Sequence, residues 1–243
     1  MDGELTHKLG TALFAVTLLV APGPGALDAA RQDSRAAERA RMVDEQIAAR
    51  GIRDTGVLAA LREIPRHLFV PPDMVARAYI DSPLPIGYDQ TISQPYIVAL
   101  MTELARPSAG DRALEIGTGS GYQAAVLSRL VSHVYTIDIV EPLAREAGGR
   151  LKELGYANVT VRAGDGYAGW PDAAPFDIVL VTAAPTEVPP PLLAQLKPGG
   201  RLVVPVGPVG VVQELQLIEK DASGRTSTKR VAPVRFVPFR RAR

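Results

Sequence analysis

Beyond Gly110 the chain alternates short apolar runs with helical stretches, and nothing else in it narrows the possible folds so far. The apolar runs at residues 113–116, 134–137, 159–161, 178–181 and 202–206 read as strands. Residues 122–130, 141–154 and 190–196 read as the helices between them, the second closed by Gly155. Strands that take turns with helices signal βα units and a parallel sheet. Lys197-Pro198-Gly199-Gly200 reads as a turn by composition. Two further β-rich segments, 211–218 and 231–237, flank a polar loop at 221–229 and should add antiparallel strands at one edge. With 243 residues and 47% hydrophobic content, the chain can bury a sizeable core and is not disordered.

Upstream of this sheet the spacing is helical. Ala40, Val43 and Ile47 recur on one face across 36–50, and Gly51 sits where a C-cap belongs. Asp54 reads as the N-cap of a second helix carrying Val57, Leu58, Leu61 and Ile64, which Pro65, Pro71 and Pro72 end. Residues 83–96 have neither period and read as an ordered loop running into a helix marked by Ile97, Leu100, Met101 and Leu104. The expected organisation is one domain over 36–243, with a helical cap and substrate loop at 36–109 and a cofactor-binding sheet with C-terminal strands at 110–243.

The first residues differ from the rest. Residues 9–21 form an almost unbroken apolar run, shorter than the roughly 20 residues a bilayer span needs and close to a signal-peptide core. Asp2 and Glu4 precede it and no clean A-x-A site follows, so export and a plain extension both stay open. Residues 22–35 read as a linker, and no stable membrane span is expected.

Composition excludes several chemistries. Lys and Arg number 27 against 26 Asp and Glu, a formal charge of +1 that gives no global field to hold a nucleic acid. The basic residues Arg235, Arg240, Arg241 and Arg243 form one terminal cluster, which reads as solvated. The chain has no Cys and three His, so neither a thiolate centre nor a His-rich metal site is expected.

The stretch Leu114-Glu115-Ile116-Gly117-Thr118-Gly119-Ser120-Gly121-Tyr122 carries a strand through three glycines into a helix. Glycines there allow a sharp turn and close approach to a ligand, and the helix start adds free N–H donors. The G-x-G-x-G spacing departs from the G-x-G-x-x-G of dinucleotide sites, which argues against an NAD-dependent oxidoreductase. Glu115 is badly placed for a pyrophosphate and well placed for an ammonium group. Asp138 ends the next strand, where a carboxylate can accept from both ribose hydroxyls, or can cap a helix. Gly164-Asp165-Gly166 follows the third strand, and its Asp can receive an adenine amino group or make an Asx turn. The three acids converge on the crevice where open α/β sheets bind ligands. An ammonium, a sulfonium and an adenosine together describe S-adenosylmethionine.

With those residues in view, a family resemblance emerges. Residues 41–47 (RMVDEQI), 64–71 (IPRHLFVP), 90–96 (QTISQPY), 114–123 (LEIGTGSGYQ) and 196–200 (LKPGG) resemble the protein-L-isoaspartate O-methyltransferases, in order and over about residues 41–239. The glycine loop is shared by many methyltransferases; Thr91-Ile92-Ser93-Gln94-Pro95 is the specific part. The resemblance implies a Rossmann-like α/β fold, with a mostly parallel central sheet, helices on both faces and added C-terminal strands. It implies transfer of a methyl group from S-adenosylmethionine to the free α-carboxyl of L-isoaspartyl residues in damaged proteins, as repair in the cytoplasm where the donor is made. Export through residues 9–21 is the alternative location.

The resemblance also implies site residues. Ser93 would lie beside the transfer centre, and Thr91, Ile92, Ser93, Gln94 and Pro95 would shape the peptide site. Glu115, Gly117, Thr118, Gly119, Ser120, Gly121, Asp138, Ile139, Asp165 and Gly166 would hold the donor. Ser93 can equally cap the helix starting at Gln94-Pro95. Asp89 stands where glycine is expected, and a charge there would lower affinity for an anionic peptide. His67, between Pro65 and Phe69, reads as a packed structural imidazole. A methyltransferase acting on nucleic acid or a small molecule, and a non-catalytic binding module, are the remaining rivals, and a monomer is expected.

Overall fold

The computed structural model describes Met1 and residues 35–242. The apolar run at 9–21 and all of the linker except Arg35 lie outside the described residues. Seven strands, β3 Arg112–Ile116, β4 His133–Asp138, β5 Val159–Ala163, β6 Phe176–Val181, β7 Leu196–Val206, β8 Gln213–Lys220 and β9 Thr226–Val234, form one sheet. Their order across it is β5-β4-β3-β6-β7-β8-β9. The first five are parallel, and β8 and β9 run antiparallel along one edge.

The chain leaves β3 toward β4 and β5, then returns to lay β6 on the other side of β3. That reversal is the topological switch point at which such sheets bind ligands. Successive residues of a strand face opposite sides: Ala113, Ile178 and Val203 enter one apolar core, Leu114, Val179 and Leu202 the other. The chain enters through α1 Ala36–Arg41, and the first face is covered by Met42, Val43 and Ile47 just after it together with α2 Thr55–Glu63, α3 Pro95–Ala105, α4 Tyr122–Ser128 and α5 Glu141–Glu153. The other carries the short α6 Pro190–Ala194 and the 3-10 turn Pro171–Ala173.

Two helix ends form where their cap residues indicate. α1 continues as a π turn, Met42–Ile47, and a 3-10 turn, Ala48–Arg50, stopped by Gly51 at φ +102°. Asp54 Oδ1 accepts from Val57 N at 2.9 Å at the start of α2.

Three segments depart from the sequence expectation. Residues 83–96 contain a hairpin, β1 Leu84–Gly87 with β2 Gln90–Ile92, turned by Tyr88 and Asp89 at φ +53° and +57°. Such a turn favours Asn-Gly, so the non-glycine pair hides it. The left-handed backbone gives a physical reason to expect glycine at position 89. β9 begins at Thr226, inside the presumed polar loop, because an edge strand needs no apolar alternation. Residues 197–200 do not separate elements but form an irregularity within β7, where the register against β6 shifts between Phe176 and Ile178. Among the described residues no helix is long and apolar enough to cross a membrane.

Candidate active site

The parallel strands deliver their carboxyl ends to one edge, and a cleft opens there. Thr91, Ile92, Ser93, Glu115, Gly117, Thr118, Gly119, Ser120, Asp138, Ile139 and Gly166 all line it. The Ser93 segment and the glycine turn, 24 positions apart from Ser93 to Gly117, thus share one cavity. A groove continues outward from it, sharing Thr91, Ser93, Thr182 and Val237 and adding Gln94, Ile97, Val212 and Arg235. Gly121 lines neither space; at φ +87° it caps α4 and packs toward Leu151. Pro95 is the first residue of α3 and also stands outside both. Asp89, at the hairpin tip, lines neither.

The glycine turn is shaped by close approach. A Cβ on Gly117, at φ +103°, would lie 2.3 Å from Thr182 Oγ1, and one on Gly166 would lie 2.3 Å from Ile116 Cγ2. Thr182 Oγ1 donates to Ile116 O at 3.0 Å and Gly117 O at 2.7 Å. The hairpin closes over the turn, with Ile86 Cδ1 3.4 Å from where a Cβ on Gly119 would be. Asp138 Oδ2 accepts from Gly119 N at 2.7 Å and Oδ1 from Val140 N at 2.9 Å, so this carboxylate pins the turn and the chain beyond β4 together. Burial raises the Asp138 pKa against the opposing pull of those two amides.

Glu115 is fully buried on β3 opposite Thr136 of β4. Its Oε2 accepts from Thr136 Oγ1 at 2.6 Å, while Oε1 has no partner. Burial, opposed by the Thr136 bond and reinforced by Asp138, pushes its pKa up to about 8. A carboxyl raised in the folded state contributes stability that is present below its unfolded value and lost as pH rises through the folded one. Glu115→Gln is therefore expected to melt above the ligand-free wild type at about pH 9 and to converge with it near pH 5, the gap growing by about 1.4 kcal/mol per pH unit between the ordinary carboxyl value and the raised folded one and levelling off above it. A gap independent of pH in calorimetry would contradict this.

Asp165, like Gly121 and Pro95, is a predicted site residue that does not line the cleft. Its Oδ1 accepts from Tyr167 N at 2.9 Å in an Asx turn, and Oδ2 accepts from Arg241 Nε at 2.9 Å and Ala242 N at 3.1 Å. Burial alone would raise its pKa, but Arg241 and the two amides outweigh that and lower it. The basic terminus is accordingly not a freely solvated cluster. Its chain runs back beside β6, with Ala184 N donating to Val237 O at 2.8 Å and Phe239 N to Ala184 O at 3.0 Å. Val237, Pro238, Phe239 and Arg240 thereby line the cleft. No local pattern marks this strap or Thr182, and Tyr122 and Gln123, present in the glycine-loop motif but not assigned to the site, also line the cleft.

The two alternative roles resolve differently. Gln94, not Ser93, is the N-cap of α3, and Tyr96 N donates instead to Asp81 Oδ1 at 3.1 Å. His67 Nδ1 lies 2.6 Å from Tyr79 Oη and is buried outside both spaces, a packed imidazole as expected. Among the described residues no group of three or more His, Cys, Asp or Glu is arranged to hold a metal ion.

The arrangement matches known proteins. The model of the protein-L-isoaspartate(D-aspartate) O-methyltransferase family matches residues 37–243. The chain is 56% identical over 230 residues to the protein-L-isoaspartate O-methyltransferase of Opitutus terrae, covering 95% of this chain and 97% of that one. It is 58% identical over 204 residues to protein-L-isoaspartate O-methyltransferase 1 of Nitrosospira multiformis, covering 83% and 86%. A solved protein-L-isoaspartate O-methyltransferase superposes with a TM-score of 0.74 at 32% identity, over 82% of this chain and 65% of that one, so the chain spans just under two thirds of that structure. A Plasmodium falciparum structure solved with S-adenosyl-L-homocysteine shares the fold at a TM-score of 0.73 and 23% identity, over 84% and 99%. A family model spanning the sheet, the cleft and the strap, together with relatives more than half identical over most of their length, leaves one conclusion: this chain belongs to the protein-L-isoaspartate(D-aspartate) O-methyltransferase family.

Proposed function

We propose that the cleft between Ser93 and the glycine turn is the methyl-transfer centre of this enzyme, and that the groove beyond Ser93 carries the substrate peptide. Membership of the family makes the chain an S-adenosylmethionine-dependent methyltransferase that esterifies the free α-carboxyl of L-isoaspartyl residues. The observation that carries the site assignment is the shared lining: Ser93 borders both the cleft and the groove, so a peptide carboxyl entering from one meets a donor held in the other.

The residues of the cleft fit the donor. Glu115 Oε1 is a buried acceptor without a partner, which suits an ammonium group. Gly117 and Gly166 pack so closely on Thr182 and Ile116 that neither position admits a Cβ, which fixes the backbone that would face the donor. Asp138 would take the ribose hydroxyls with the lone pairs that the amides of Gly119 and Val140 leave free, and Ile139 and Gly166 would flank the base. Asp165 would act on this site indirectly, by holding the turn that presents Gly166. When bound, S-adenosylmethionine supplies a methyl group activated by a sulfonium.

The chain itself has little proton chemistry to perform. A carboxyl group titrates near pH 4 and is already ionised at neutral pH, so no general base is needed and Ser93 is not a covalent nucleophile. Ser93 would donate to the carboxylate oxygen that does not attack, with Thr91, Ile92 and Gln94 shaping the approach and Pro95 fixing the start of α3. Holding two reactants in line contributes on the order of 7–11 kcal/mol in well-oriented systems. The hairpin above and the strap beside the cleft limit the entry of water.

The unit from residue 36 onward acts as one domain, and it acts as a monomer. Arg241 is engaged by Asp165, which leaves the basic terminus poorly suited to nucleic acid. The need for the donor supports a cytoplasmic reaction, and ester formation at isoaspartyl sites opens a route back to aspartate through a succinimide. The test is incubation with methyl-labelled S-adenosylmethionine and two peptides that differ only in an isoaspartyl or aspartyl linkage. Base-labile label in the isoaspartyl peptide alone is expected; equal labelling of the pair, or none, contradicts the assignment.

A further inference from the structure

Arg66 is 0% exposed, yet it forms no ion pair among the described residues. Its Nε donates to Ala78 O at 2.9 Å and its Nη2 to Ser93 O at 2.7 Å, while Nη1 has no partner. On its other side the guanidinium carbon lies 4.9 Å from the centroid of the Tyr122 ring. Tyr122 is the first residue of α4, directly after the glycine turn, and it lines the cleft. One buried cation therefore touches both halves of the site: the backbone of the residue assigned to the peptide carboxyl, and the helix start that ends the donor turn.

Packing alone does not account for a cation here. Burying a charge without a counter-ion is costly, and an apolar side chain of similar volume would fill the space without that cost. Asp81, the acid whose field reaches Arg66, is itself paired with Arg50. Burial pulls the Arg66 pKa down to about 10, which still leaves the group charged at neutral pH. What the guanidinium provides that an apolar residue cannot is a rigid pair of donors. One of them fixes the Ser93 carbonyl while the cation sits over the Tyr122 ring.

We infer that Arg66 is a positioning residue for methyl transfer, holding the Ser93 backbone against Tyr122 so that the acceptor carboxyl meets the donor in line. It lines neither cleft nor groove, so it acts through Ser93. The inference rests on the reading of Ser93 given above.

A double-mutant cycle tests it. Arg66→Met is expected to lower kcat roughly 10- to 100-fold, the scale of loss that misplacement of a reacting group brings. The peptide KM and the affinity for S-adenosylhomocysteine should stay within about twofold, the spread of independent sites. In a Ser93→Ala background the same substitution should cost no more than about twofold, because the group it positions is gone. Losses that multiply, or an unchanged kcat in the single variant, overturn the inference. Should Arg66→Met not fold, Arg66→Lys runs the same cycle. Lysine keeps the charge but not the two-donor geometry, so a wild-type kcat there overturns the inference, and a fall confined to kcat supports it. The wild-type rate on isoaspartyl against aspartyl peptide tests the functional reading separately, since the Arg66 result is a ratio of rates on one substrate.

Discussion

Gly117→Ala is expected to abolish detectable S-adenosylhomocysteine binding and methylation. Two independent constraints act at this position. The backbone sits at φ +103°, where an L side chain is strained, and the added Cβ would fall 2.3 Å from Thr182 Oγ1. That hydroxyl cannot simply retreat, because it holds the carbonyls of Ile116 and Gly117 at the end of β3. Strain of about 1–3 kcal/mol adds to the loss of roughly one or two hydrogen bonds at about 1 kcal/mol each, and the turn that would cradle the donor must rearrange. Gly164→Ala is the control: a Cβ there meets nothing within 4 Å, at the same sheet edge. Calorimetric titration with S-adenosylhomocysteine should give near wild-type affinity for Gly164→Ala and none for Gly117→Ala. Wild-type affinity in the Gly117 variant would mean that the close approach is not needed.

Ser93→Ala has the opposite signature. A hydrogen bond to a charged group is worth about 1.5–3 kcal/mol, so kcat should fall roughly 10- to 100-fold on that scale, while affinity for S-adenosylhomocysteine holds. Asp138→Ala should instead weaken that affinity, since it removes the carboxylate that both faces the cleft and ties Gly119 N to Val140 N. Its melting temperature should fall as well, because the half-buried Gly119 amide loses its acceptor. Rapid-quench kinetics beside equilibrium binding separate the two variants. If Ser93→Ala lost donor affinity and Asp138→Ala lost only turnover, the roles assigned here would be reversed.

What the sequence made legible is what repeats locally. The strands and helices after Gly110 follow from periodicity. The glycine turn follows from backbone demands that only glycine meets, and the two cap residues, Gly51 and Asp54, work within one turn of themselves. The first and second acids of the cleft follow from their place at strand ends. The missed features depend on distant chain or on broken local rules. Tyr88 and Asp89 adopt a turn that normally advertises itself with Asn-Gly. β9 is a polar edge strand with a largely exposed pattern, so burial leaves no imprint on its residues. The strap depends on Arg241 meeting Asp165 across 76 positions, and that same contact draws the third acid away from the cleft. Arg66 sits beside the more conspicuous His67, and only the fold reveals that it reaches Ser93 and Tyr122 together.

Central to this account is that Ser93 and the glycine turn serve one reaction. The most direct test is a crystal structure of the protein with S-adenosylhomocysteine and an isoaspartyl peptide bound together. The nucleoside is expected against Asp138 and Gly166, the amino group at Glu115 Oε1, and the peptide in the groove with its free carboxyl hydrogen-bonded to Ser93 Oγ and directed at the sulfur. A peptide carboxyl seated away from Ser93, or a nucleoside outside the cleft at the strand ends, would contradict it.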